Sequence, residues 1–405
     1  MKTGQKAPAP RQPAAKRITH VAELLPRARE LVSRKAANMY EGFEVKKGQK
    51  VLIINEPSAD QLVVEAFATA SRERGATVDI IGLQGFGPLK DAAELLDNMF
   101  SNNWYPDWAW AAANEADIVL LTAFLKKPHT PIPPLPGNPK VENIEITSDL
   151  MLSEYLSFPV ELRDAIDDVA WENMGHASQL RWTDLEGTDL TIHYKPQDWK
   201  KLIDRNTKGK GAPYPHGHLM FPAPVQDMNG VYVSSSITFG GPVPRTTLKV
   251  EGGRVVDVQG GGKFGDRLRT SFEKYKDLTG KSCPGPGINW ITTMGLCTNP
   301  KAARSPFFEE LSGSARIFAW TYAHRRSGVL HASIGEGKVT PNYKVIRHMD
   351  TFFNTLVTEK GTIAENGRLC ALDDPRVREM AARFGDPDQL LQECWIPAVS
   401  GVNVP

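Results

Sequence analysis

Apolar and polar positions along the chain fall into two textures, and the change between them comes near residue 180. In the first, Val21, Leu24, Leu25, Ala28, Leu31, Val32 and Ala36 recur at three- and four-residue intervals and predict an amphipathic helix over 20–41. After a turn at Lys47-Gly48, the run VLIIN (51–55) is continuously apolar, the pattern of a strand covered on both faces. A helix over 59–74 closed by Gly75, then a strand in ATVDIIGL (76–83), complete a βαβ unit. ADIVLLTAF (116–124) and VENIEIT (141–147) predict further strands, with a tryptophan-rich helix among them. There Trp104 and Trp108, at helical spacing, form an aromatic face that reads as core packing or as a wall for a flat ring.

From Leu180 the pattern alternates. RWTDLEGTDLTIHYKP turns at Glu186-Gly187, and GVYVSSSITFGG (230–241), RTTLKVEGGRVVDVQGG (245–261) and NTLVTEKGTIAENGRL (354–369) continue in the same style, with glycine pairs at the turns. These textures predict a tail over 1–19, an α/β parallel-sheet domain over 20–170, and a larger α+β domain over 171–405 built mainly on antiparallel sheet.

Composition narrows the function classes. The 405 residues suffice for two or three domains with real cores. With 48 basic against 47 acidic side chains no field of one sign dominates, which argues against nucleic acid or an anionic membrane surface as the partner and leaves a small molecule. No apolar run approaches the roughly 20 residues that cross a bilayer. The opening MKTGQKAPAPRQPAAKR has no apolar central region, so it reads as a mobile tail rather than a secretory signal. Cys283, Cys297, Cys370 and Cys394 are too scattered for a CxxC metal site or a disulfide framework, and a reducing cytoplasm is expected. No glycine-rich phosphate loop follows the first strand, and Ser234-Ser235-Ser236 lacks a nucleophile elbow.

Candidate chemistry concentrates at HASIGEGKVTPNYKVIRHMD (331–350). His331 opens this stretch and His348-Met349-Asp350 closes it, around a loop with Gly335, Gly337 and Pro341. In a strand, a His-x-Asp pair aims both side chains to one face. Two imidazoles and a carboxylate suit a borderline divalent ion and leave positions open for water or substrate. Read alone, the segment is equally a strand of half-buried polar residues with no ion. Seven histidines (176, 193, 216, 218, 324, 331, 348) fall in the second half, so the chemistry is expected there. His193 reads as a surface residue, Asp189 as a turn cap or an orienting partner, and Arg325 and Arg326 as solvated charge or as a clamp for a substrate carboxylate or phenolate. Glu336 and Lys338, in the predicted loop, are candidates to move a proton at the open site.

Taken in order and spacing, eight segments resemble the aminopeptidase T family of dinuclear metallopeptidases: FEVKKGQKVLIIN, ASRERGATVDII, MGHASQLRWTDLEGTDLTI, PYPHGHLMFPAPVQDMNGVYV, VEGGRVVDVQGG, MGLCTNPKA, GVLHASIG and IRHMD. The chain is also similar to a branch of that fold, the 2,5-dihydroxypyridine dioxygenases, which bind one Fe(II) and open a pyridine ring. The resemblance spans residues 40–370. It implies that His331, His348 and Asp350 are ligands. One family glutamate falls on His218, the second on Thr293, and a family tyrosine on Lys338. The set His218, His331, His348 and Asp350 carries one negative charge in place of three, too little to hold two mutually repelling cations, so one divalent ion is expected. Fe(II) is favoured, with Zn(II), Co(II) or Mn(II) as alternatives. His216 is an extra ligand or a hydrogen-bond donor to substrate. The implied function is an Fe(II)-dependent ring-cleaving dioxygenase of aromatic catabolism, or else a metal-dependent aminopeptidase or amidohydrolase. The family habit implies a homodimer.

Overall fold

The computed structural model describes residues 16–34, 42–83, 106–122, 133–144, 146–205, 217–238, 241–279, 283–311, 313–321, 323–340, 343–394 and 396–404. The predicted tail up to residue 15, together with Trp104 and His216, lies outside them.

Strands β1 (Lys50–Asn55), β2 (Thr77–Gly82), β3 (Ile118–Leu121) and β4 (Lys140–Asn143) form a parallel sheet in the order β2-β1-β3-β4. Alternate residues of β1 serve two cores. Val51 and Ile53 pack with Val63, Val64 and Phe67 of the helix Gln61–Glu73, while Leu52 and Ile54 turn to Ala109, Trp110 and Ala113 of the helix Asp107–Asn114. Burial on both faces is why the run carries no polar residue until Asn55. The helix between β1 and β2 starts where Asp60 accepts a hydrogen bond from Leu62 N and ends before Gly75, whose φ of +84° suits glycine. Of the two tryptophans expected to form an aromatic face, Trp108 is described and is 53% exposed, while Trp110 faces the core.

In the second part the described strands pair antiparallel. Among the described residues its sheet runs β16 (Arg368–Leu369), β15 (Gly361–Glu365), β14 (Asn354–Thr358), β5 (Gln179–Asp184), β6 (Asp189–His193), β8 (Met228–Ile237), β13 (Tyr343–Thr351), β12 (Leu330–Thr340), β11 (Ile291–Cys297) and β7 (His218–Phe221). β9 (Gly241–Glu251) also pairs with β8, and β10 (Arg254–Gly260) with β9. Leu180, Trp182, Leu190 and Ile192 point inward from β5 and β6, which accounts for the alternation there, and the turn at Glu186-Gly187 joins them. The helix Val160–Met174 sends Leu162, Ile166, Ala170 and Met174 into the same core. The architecture is therefore a small parallel-sheet part followed by a larger antiparallel one, as expected. Among the described residues no helix is long and apolar enough to cross a membrane.

The loop expected after Ile334 is not found. Residues 335–340, predicted as loop, continue β12, with a register irregularity between Ile334 and Gly337. Gly335 sits there at φ +72° and donates from its backbone N to Trp290 O at 2.7 Å, so the glycine marks a bulge rather than a strand end.

The β5–β6 turn holds two buried acids. Burial pushes Asp184 up to about 6, and burial plus the neighbouring Asp184 push Glu186 up to about 7. Glu186 Oε1 accepts from Ser235 at 2.6 Å, while Oε2 has no hydrogen-bond partner among the described residues. Raised folded-state values mean that the folded chain binds more protons than the unfolded one between about pH 4 and 7. Their stabilising contribution is thus complete in acid and is lost as pH rises through that window, on the order of 2–3 kcal/mol per group. Glu186→Gln, neutral at every pH, is expected to raise the melting temperature at pH 7.5 but not at pH 4.5. Equal shifts at both pH values would contradict the assignment.

Candidate metal centre

Five adjacent strands, β8-β13-β12-β11-β7, build the site through register. Cys297 pairs with His218, Gly295 with His331, His331 with Asp350, and Ser333 with His348. Cross-strand partners point to the same face, as do residues two apart on one strand. His218, Cys297, Gly295, His331, Ser333, His348 and Asp350 therefore share one face. All are buried, His218 and His331 at 5% exposure and Asp350 at 0%.

The imidazoles of His218 and His331 stack with centroids 4.7 Å apart and planes 21° apart. His348 lies 5.9 Å from His331, and His324 meets the His331 ring edge-on at 5.5 Å. One donor atom each from His218, Cys297 and His331 falls within 4.8 Å of the others. Bonds of about 2.0 Å to nitrogen and 2.3 Å to sulfur place the donors of a tetrahedral ion roughly 3.3–3.8 Å apart. Donors all within 4.8 Å of one another are compatible with that spacing. His348 and Asp350 lie outside this 4.8 Å group, on the neighbouring strand of the same face.

Gly295 makes the convergence possible. A Cβ at this position would stand 2.6 Å from His331 Cε1 and closer still to His218 Nε2. The strand between the two histidines carries no side chain where their rings meet, and this cradle together with the nitrogen and sulfur donors fits a divalent metal.

Surrounding hydroxyls fix the remaining groups. Thr238 Oγ1 donates to Asp350 Oδ1 at 2.6 Å, and Ser236 Oγ to Oδ2 at 3.4 Å. Burial pushes Asp350 up to about 7, while those two bonds and the Arg325 guanidinium pull it down. A cation held at the face would keep it ionised. Ser333 Oγ lies 2.9 Å from His348 Nδ1, which sets the ring orientation and makes Nε2 the atom an ion would take. The triple serine has partners here: Ser234 donates to the Asp350 backbone oxygen at 2.6 Å, and Ser236 to its carboxylate.

Other sequence candidates are distributed as follows. Thr293, on β11 opposite Ser333, shares the face but is only half-buried. Glu336 and Lys338 are on β12, with side chains outside the described part of the structure. His193 is exposed, as expected, and Asp189 is exposed in an ion pair with Arg181. Arg325 and Arg326, for which solvated charge was one expectation, are buried at 4% and 1%. Cys297 has no ligand-type spacing to another cysteine or histidine along the chain. The usable signal was Gly295-Leu296-Cys297, in which strand alternation puts the cysteine on the same face as the glycine.

No family model matches the chain, and no curated protein matches it in sequence. Among solved structures the chain is similar to the 2,5-dihydroxypyridine dioxygenase of Pseudomonas putida KT2440, with a TM-score of 0.57 and 15% identity over 89% of this chain and 100% of that one. AmpT from Thermus thermophilus aligns with a TM-score of 0.48 and 16% identity over 86% of this chain and 99% of that one. The resemblance read from the sequence thus holds as a likeness of fold to the dioxygenase. A shared scaffold hosts different chemistries, so activity is argued from the site.

Sulfur among the donors has a spectroscopic consequence. If Cys297 binds as thiolate, the Co(II)-loaded protein will show a sulfur-to-metal charge-transfer band in the near ultraviolet. Cys297→Ser is expected to remove the band and weaken metal binding about tenfold or more, since a hydroxyl is a poor substitute for thiolate. A wild-type spectrum without that band excludes the cysteine from the coordination sphere.

Proposed function

We propose that the protein is a metal-dependent enzyme acting on a small aromatic or heteroaromatic substrate, with Fe(II)-dependent oxidative ring cleavage as the specific reaction. The supporting observation is the assembly of His218, His331, His348 and Asp350 on one buried sheet face with a single carboxylate among them. One negative charge suits one ion, and histidine nitrogens with one carboxylate suit Fe(II). Bound there, a divalent ion would supply Lewis acidity towards substrate oxygens and, as Fe(II), the electrons that activate dioxygen. The chain's own contribution is positional. Ser333 holds the His348 ring, Thr238 and Ser236 hold the Asp350 carboxylate, and burial of the face keeps bulk water from the reacting atoms. Lys338 and His216 are our candidates for donating a proton at the open site, and Glu336 for donating or accepting one.

Anaerobic loading with Fe(II), followed by 2,5-dihydroxypyridine or another dihydroxylated ring and then oxygen, tests the proposal. Oxygen consumed in step with loss of the ring chromophore is expected. No uptake with any dihydroxylated aromatic would overturn it.

Cys297 supports a second reading. Thiolate with two imidazoles is a Zn(II) donor set that keeps a fourth position open, which suits a hydrolase acting on a peptide or amide. Activity that survives removal of oxygen and requires Zn(II), Co(II) or Mn(II) would select this alternative.

A further inference from the structure

Three consecutive buried side chains precede β12. His324, Arg325 and Arg326 are exposed by only 1%, 4% and 1%. Their environments differ sharply. Arg326 is held on several sides: Nη1 donates to Ser327 O and Gly367 O, both at 3.1 Å, and Nη2 to Glu393 Oε2 at 3.0 Å. That arginine is a structural pin. His324 turns its ring towards His331. Arg325, between them, has Nη1 buried with no hydrogen-bond partner among the described residues.

A buried guanidinium is costly unless its N–H groups are matched by acceptors. Arg325 directly follows His324, whose ring meets that of His331 at 5.5 Å, and no hydrogen bond joins Arg325 to Asp350 among the described residues. Charge balance sharpens the point. A divalent ion, one carboxylate and one guanidinium sum to two positive charges, and a Cys297 thiolate would reduce this only to one. The low-dielectric face then favours an anion from outside.

We infer that Arg325 is a specificity-determining residue that holds an anionic oxygen substituent of the substrate, a carboxylate carried on the ring, beside the metal centre. A guanidinium N–H directed at such an oxygen gives a charge-assisted hydrogen bond, which selects acidic rings over neutral ones of the same shape.

This inference rests on the metal-site reading, and the experiment separates the two. The protein is loaded with redox-inert Zn(II), its metal content is measured, and calorimetric titration compares 2,5-dihydroxybenzoate with 1,4-dihydroxybenzene. Wild type is expected to prefer the carboxylated ring by about tenfold to a hundredfold, the range of a hydrogen bond to a charged group. Arg325→Met should remove the preference at unchanged metal content, and Arg325→Lys should retain part of it. If the methionine variant does not fold, the wild-type comparison decides alone. A protein that takes up no metal overturns both readings. Zn(II)-loaded protein that binds the two rings equally, or binds neither, overturns this one only.

Discussion

Replacing His331 with alanine is expected to abolish metal uptake, from about one ion per chain to a trace, while leaving the sheet folded. The reason is its position at the centre of the donor face. It stacks on His218, meets the His348 ring, and faces Asp350 across one strand and Gly295 across the other. Both donor groupings include it, the His218–Cys297–His331 cluster as much as the His331–His348–Asp350 set. Losing a partner that only orients a ligand, as in Ser333→Ala, should cost about 10–100-fold in affinity. Losing the shared ligand should cost far more. Elemental analysis of the two variants beside wild type, with circular dichroism to confirm folding, checks the order. If His331→Ala retained full metal content, the ion would have to sit elsewhere and the face would need another explanation.

The sequence revealed elements better than it revealed their meeting points. β1 was legible because its apolar run has one cause, burial on both faces, and the β5–β6 hairpin because strict alternation around Glu186-Gly187 has another. His348 and Asp350 could be put on one face from strand periodicity alone. That His331 faces Asp350 could not be derived, since register here depends on irregularities in β12 around Gly335. Glycines in that stretch suggested a loop, whereas one of them accommodates a bulge within a strand. Cys297 and His218 are distant along the chain and meet only because β7 and β11 pair. Arginine is solvated in most settings. Here Glu393 and backbone oxygens compensate the second, and the environment of the first became informative only once its burial was known. Fold-level features follow from local periodicity, and the site follows from long-range pairing.

Gly295→Ala should nearly eliminate metal binding through a single added methyl group. The added carbon would lie 2.6 Å from His331 Cε1 and 2.7 Å from His218 Cε1, nearer than non-bonded carbons approach. Backbone strain plays no part, because the glycine sits in an ordinary strand paired on both sides. Those two ladders also prevent β7 and β12 from moving apart, so an imidazole has to rotate off the shared point. The fold is expected to lose about 1–3 kcal/mol, typical of overpacking. Metal affinity should fall by about 10–100-fold at least, as when a ligand loses its orientation. A double variant isolates the cause. Adding His218→Ala removes the ring that the methyl group displaces, so thermal stability should recover relative to Gly295→Ala alone while metal binding stays lost. Recovery of stability without recovery of the ion would show that the bare backbone at 295 serves the convergence of the two histidines. Wild-type metal affinity in Gly295→Ala would instead mean that the rings do not share a ligand.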